Sequence, residues 1–404
     1  MSPNSEGTSQ SPSSGALNNP IQLQLGAWTV LALVLVAVGV VGFVAGMAEG
    51  LSQRVWEAYL VNFLFWLGIA QGGVIVSAAF YLTQARWTGP AQYRLAEMFF
   101  LYIPVSFVLF WGLYFGRTEI FPWVLHPIAS KAQWLNTPFL FARDGGGLFL
   151  MTVLSWWFVT ASRREDVKEW ASHPDNIILP PNIMRRLSPA LGLAYAFIFS
   201  LLAFDLIMSL SPMWKSTLFG AWFFETCFWS ALASMAFASV ILRTVFGNRV
   251  ISWKRKILHD HGKLVFAFSI FWMYMFFAQF LVIWYGDIPM ETFFIAVRGY
   301  HLPWSVPSIA MLFLVWAIPF VSLLGVRPKR TPKILGTVTI LGLCGIMIED
   351  YILVVPSLSP HEIPYGWVEI LITLGFMGAF VLCALPGLRR WVAAASETGP
   401  FGED

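Results

Sequence analysis

Four carboxylates stand where carboxylates are expensive, inside runs of apolar residues long enough to cross a bilayer: Asp205, Glu225 and the adjacent Glu349 and Asp350. A fifth, Glu369, sits nearer the end of such a run. Ionisable groups at these depths face the protein interior and are functional hypotheses by default. A second set gathers at the opposite edge: Glu97, and His259, Asp260, His261 and Lys263 in one short stretch. His259 and Lys263 are spaced to share a helical face, and Lys263 and Tyr274 lie three turns apart on one stripe. A titratable histidine beside an acid, followed by Lys and Tyr, is equipped to pass protons. The chemistry these residue types support is proton transfer between buried carboxyl groups, and two sets at different depths suggest two half-channels. A structural role is the competing assignment. Asp205 and Glu225 can bond a Trp N–H, a Ser hydroxyl or a freed backbone group, and the 259–263 stretch can be a cationic anchor.

Other chemistries are excluded by what is missing. A haem held between helices needs paired histidines at matching depth. Here His126, His173 and His361 fall in loops, His259 and His261 at one edge and His301 at the other. There is no CxxCH, no cysteine cluster and no Walker motif, so a bound metal redox centre or ATP chemistry is not expected. The RDGGG run at 143–147 is expected to be a glycine-rich turn just before the fourth apolar segment. Cys227, Cys344 and Cys383 read as small buried apolar residues.

The elements that must position these groups follow from composition. Of 404 residues 57% are hydrophobic and 12% charged, with 36 Phe and 20 Trp. Soluble domains carry about 25% charge, so this is an all-α, polytopic membrane protein. A net charge of +3 leaves no footprint for nucleic acid. Runs of about 20 apolar residues mark membrane helices. Ten are expected, near 26–46, 56–84, 96–116, 145–161, 188–211, 218–243, 263–286, 301–325, 334–355 and 365–388. Residues 1–25, rich in Ser, Pro and Asn, are expected to form a disordered tail without the basic start of a signal peptide, and 391–404 a second tail. The 25 Lys and Arg divide 19 to 6 across the two sides. The minority are Arg54, Arg117, Lys131, Arg143, Lys215 and Arg298. By the positive-inside rule both termini are expected in the cytoplasm. Trp28, Trp56, Trp87, Trp123 and Trp391 fit an interfacial belt. Small-residue stretches at 68–79 and 230–239 permit close helix packing and hint at a duplicated four-helix unit, spans two to five and six to nine, flanked by two peripheral helices.

Two blocks carry a family resemblance. HDHGKLVFAFSIFWMYMFFAQFLVIWYGDIPMET (259–292) and PALGLAYAFIFSLLAFDLIMSLSPMWKSTLFGAWFF (189–224) resemble the membrane subunits of alternative complex III, within the wider polysulfide-reductase membrane-subunit (NrfD-like) family. In the second block the family pattern of aspartate, Ser-Leu and Trp-x-Ser matches Asp205, Ser209, Leu210, Trp214 and Ser216. The chain departs from it after the first block's proline, where Met290 precedes Glu291. The resemblance spans the ten segments and is nearest to the smaller, second quinone-binding-type subunit. It implies a respiratory quinol:acceptor oxidoreductase complex in a bacterial inner membrane, with a cytochrome c or copper protein as acceptor. It further implies a homologous larger membrane subunit, an iron–sulfur protein and multihaem cytochrome c subunits as partners, which would hold the haem c and iron–sulfur clusters. On this resemblance the chain itself holds no cofactor, with menaquinone or another quinone nearby, and contributes a proton path as a non-catalytic subunit. A secondary transporter and a purely structural anchor are the competing functions.

Overall fold

The computed structural model describes residues 14–85, 89–172, 179–246 and 255–397. His173, Trp87 and Lys254 lie outside the described residues. Ten helices are long and apolar enough to cross a membrane. In chain order, spans one to ten are Gly26–Ala48, Ser52–Leu82, Gln92–Gly112, Thr137–Ser162, Asn182–Leu210, Phe219–Val245, Ile257–Gly286, Ser305–Ser322, Pro332–Ser357 and Trp367–Trp391. Every expected span is present. The helix carrying span one starts at Ser14 and that of span ten runs to Glu397, so parts of both expected tails are helical. Propagating an existing helix fixes one residue per new hydrogen bond, whereas nucleation fixes several for the first, so polar flanks follow an apolar span.

Four spans are irregular, three of them beside a proline; span nine ends in a 3-10 turn at Val355–Ser357 that includes Pro356. Span three breaks into a 3-10 turn at Glu97–Phe99 ahead of Pro104, whose ring has no N–H and crowds the preceding turn. Span eight widens into a π-turn at Phe313–Ala317 just before Pro319. Span five carries a second π-turn, Ala203–Ile207, holding Asp205. Such bulges reaim one side chain and concentrate at functional positions.

Spans two to five close into a ring in which each helix packs on its sequence neighbour and five returns to two. Spans six to nine close in the same way, and spans one and ten pair outside the first ring. The two small-residue stretches form the seam between rings. A Cβ on Gly72 would sit 2.4 Å from the Cys227 carbonyl oxygen and 2.8 Å from Ala231 Cβ, so only glycine allows this approach.

Several surface assignments are corrected by packing. Trp56, Trp123 and Trp391 are buried among protein groups, and of the belt candidates described only Trp28 is exposed. Cys227 is buried, but Cys344 is exposed and Cys383 half-buried. Arg54, Arg143 and Arg298, counted among surface cations, are spent on internal contacts. Arg54 Nη2 meets Glu369 Oε2 at 2.8 Å and joins the starts of spans two and ten. Glu369 is thereby a structural acid.

Candidate functional site

The first bundle holds a polar cluster at the end where span four starts and span five finishes. Span four begins at Thr137, earlier than expected, because the Asn136 side chain accepts from Phe139 N at 2.9 Å and Pro138 presets the first turn. RDGGG is therefore helical, not a turn. Its glycines admit the Trp111 ring, which a Cβ on Gly145 would meet at 2.9 Å.

Helical placement turns Arg143 and Asp144 inward onto Asp205. Asp205 Oδ2 accepts from Arg143 Nε at 2.7 Å and pairs with Nη2 at 2.6 Å, while Oδ1 accepts from Trp134 Nε1 at 2.9 Å. The Arg143 guanidinium lies 3.9 Å over the Trp134 ring and 4.4 Å over Phe139. Ser209 donates to the Asp205 carbonyl, freed by the π-turn, and Trp123 Nε1 donates to Ser209 Oγ at 3.3 Å. Asp144 is buried beside Asp205, with neither of its carboxylate oxygens accepting a hydrogen bond. Asp205 therefore has a basic partner, Arg143, and its acidic neighbour is Asp144 rather than Glu225. Arg143 and Asp144 sit just outside the apolar run, and the glycines conceal that the helix extends through them.

Glu225 belongs to the second bundle, where it neighbours Glu349. Glu349 Oε1 accepts from Thr226 Oγ1 and Oε2 from Trp272 Nε1, both at 3.0 Å. Neither oxygen of Glu225 has a partner, and Asp350 is buried next in sequence to Glu349. Spans six and nine thus bring three acids into one buried centre, beside Trp272 of span seven.

Each bundle also carries polar groups at its other end. In the first, Ser77 Oγ donates to Glu97 at 3.0 Å, and one turn and a half along span two Gln71 Nε2 donates to Ser155 Oγ at 2.9 Å. In the second, His261 Nδ1 lies 3.1 Å from Ser239 Oγ, and its buried Nε2 is unbonded. Asp260 is paired with Lys263 at 2.6 Å, and His259 approaches Asp260 at 4.0 Å. The Lys263–Tyr274 stripe exists but faces outward. Lys263 is 55% exposed on its side chain and Tyr274 is 62% exposed, stacked on Phe271. A helix has two sides, and the spacing cannot say which faces the bundle.

Along span seven His261 and Trp272 are eleven residues apart, about 16 Å of helical rise. Between them the inward face presents Val265 and Ser269, both buried. No cluster of His, Cys, Asp and Glu able to hold a metal occurs among the described residues. The chain matches no protein-family model and no curated protein.

Proposed function

We propose that this chain is a membrane subunit of a quinol:electron-acceptor oxidoreductase complex of the alternative complex III type, and that it contributes a proton path while its partners hold the redox centres. One observation carries the reading. Both four-helix bundles are furnished alike, with buried acids at one end and a second polar pair at the other. In the first bundle these are Asp144–Asp205 and Ser77–Glu97; in the second, Glu225–Glu349 and Ser239–His261. Buried carboxyl groups are costly in a membrane protein and are seldom repeated without a use.

The chemistry of each pair differs. Asp205 is fixed by Arg143 and Trp134. Asp144 has no donor of its own and is the group that can take and release a proton, bridging to Asp205 when it does. In the second bundle Glu225 is likewise without a donor, beside a Glu349 held by the neutral donors Thr226 and Trp272 rather than by a cation. The ~16 Å of span seven between His261 and Trp272 is several hydrogen bonds long and presents only Ser269 as a polar side chain on its inward face, so the second bundle offers two half-paths that water or helix motion must join.

On this reading the bilayer is a bacterial inner membrane, both termini are cytoplasmic, and the Asp144 and Glu225 ends face the periplasm. The test is purification of the tagged full-length chain from its native membrane. Co-elution of a c-type haem spectrum, an iron–sulfur protein and a larger homologous membrane subunit, with quinol:acceptor activity, is the expected result. Elution of the chain alone at full yield rejects it.

A further inference from the structure

Where span seven begins, it meets the link between spans eight and nine. The short helix Val326–Arg330 packs there, and a Cβ on Gly262 would lie 2.9 Å from Lys329 Cβ, so the glycine lets the lysine close in. Lys329 is 8% exposed, and its Nζ lies 4.6 Å over the Phe266 ring. A lysine that merely anchors a helix end snorkels, keeping its ammonium in water. Lys329 does not.

The charge around it is unbalanced. Lys263, Lys329 and Arg330 all stand within electrostatic range of His259. Asp260 is the acid of the group, and it is taken by Lys263 at 2.6 Å, with His259 at 4.0 Å. Among the described residues neither Lys329 nor Arg330 forms an ion pair. Burial, and then Lys263 beside it, push the Lys329 pKa below the ordinary lysine value, the mark of an ammonium held without its counter-charge.

From this corner a strip of rings leads away between spans seven and eight. Phe266 stacks on Phe320 with centroids 5.7 Å apart, and Phe320 on Trp316 at 5.8 Å. Val321 and Leu324 beside it are 71% and 65% exposed, and Lys263, Phe266 and Ile270 share one face of span seven, so the strip lies at the surface where the lipid phase would be. These features select an occupant. An acidic protein segment or a free phosphate would answer the cations and make no use of the rings. A zwitterionic lipid carries its own cation and leaves the excess charge in place. An anionic phospholipid meets both needs. One phosphate oxygen reaches Lys329, whose small exposure admits no more, while the others meet Lys263 and Arg330 and an acyl chain lies along the rings. Basic pockets between membrane helices are suited to such head groups.

We propose that this corner binds an anionic phospholipid, its phosphate on Lys263, Lys329 and Arg330 and one acyl chain on the Phe266–Phe320–Trp316 strip. The site needs neither proton transfer, nor redox partners, nor a particular orientation in the membrane, so it can fail or stand independently of the proposed function.

The test uses the full-length chain in detergent, titrated with phosphatidylglycerol or with phosphatidylcholine of the same acyl chains, and counts bound lipid by native mass spectrometry. Each Lys or Arg near an anionic lipid favours it by about fivefold, so one phosphatidylglycerol should bind roughly tenfold or more tightly than phosphatidylcholine. Lys329→Gln with Arg330→Gln should abolish most of that preference. Arg185→Gln with Arg186→Gln, two exposed cations at the start of span five, should keep it. A preference retained by the first variant, or lost equally by both, overturns the proposal. Millimolar inorganic phosphate should not displace the lipid. Displacement by phosphate makes this a site for a free anion instead, and displacement by polyglutamate makes it a protein-docking surface. Because a variant can misfold, phosphatidylglycerol with a diazirine on one acyl chain is also photolysed on the wild-type chain. Label on residues 263–270 or 313–324 supports the site, and label elsewhere refutes it.

Discussion

Arg143 of span four grips Asp205 of span five through two nitrogens on one carboxylate oxygen, at 2.7 and 2.6 Å, in a pocket where Asp205 is fully buried. Trp134 holds the other oxygen, so Asp205 is fixed on both sides while Asp144 beside it is not.

Breaking this pair should be severe. Arg143→Leu strips a buried acid of its counter-charge, an effect of about 3–5 kcal/mol. Asp205→Leu in the same chain should recover much of the loss. Thermal midpoints of the four proteins of that cycle measure the coupling, and additive losses would mean that the two residues act separately.

On the proposed function, Asp144→Asn is expected to leave quinol oxidation measurable and lower proton release per electron in proteoliposomes of the proposed complex. Asp205→Asn is expected to lower assembled yield before it changes that ratio. An unchanged ratio in a well-assembled Asp144→Asn complex would make Asp144 structural.

Gly72→Leu should part the two bundles, because the added side chain meets the Cys227 carbonyl at once. Yield in detergent should fall sharply. Gly146→Ala, where a Cβ has nothing within 4 Å, should be neutral or stabilising by about 0.5–1 kcal/mol. Equal behaviour of the two would argue against the seam.

Reporter fusions at residues 130 and 175 should give opposite sides, periplasm and cytoplasm respectively. Three of the six minority cations are engaged inside the fold, which sharpens the basic asymmetry at the surface. The same side for both fusions would reject the orientation.

His261→Phe should be tolerated with only a modest loss of stability. The ring lies in a buried slot, and the substitution removes a single hydrogen bond with Ser239, worth about 0.5–1.5 kcal/mol. The proton-path role proposed for it predicts a slower uptake step, read as a lower maximal rate of proton release with assembly intact. A rate equal to wild type would remove His261 from the path.

The ten spans were legible in the sequence because crossing a bilayer demands about 20 apolar residues whatever the neighbours do. The costly acids Asp205, Glu225, Glu349 and Asp350 stood out for the same reason, and burial of all four follows from it. The seam was legible as two small-residue stretches, though not that each was the other's partner. What tertiary structure decided was company and facing. Arg143 and Asp144 lay in a glycine run that looked like a turn until the Asn136 cap drew them into span four. Tyr274 and Lys263 shared a stripe in either case, and packing of spans six and eight against the other face sent them outward. Asp205 and Glu225 sit at similar depth in consecutive spans, but depth is a one-dimensional coordinate. Ring closure separately within spans two to five and six to nine gave each a different acid, and that choice rests on contacts between residues far apart in the chain.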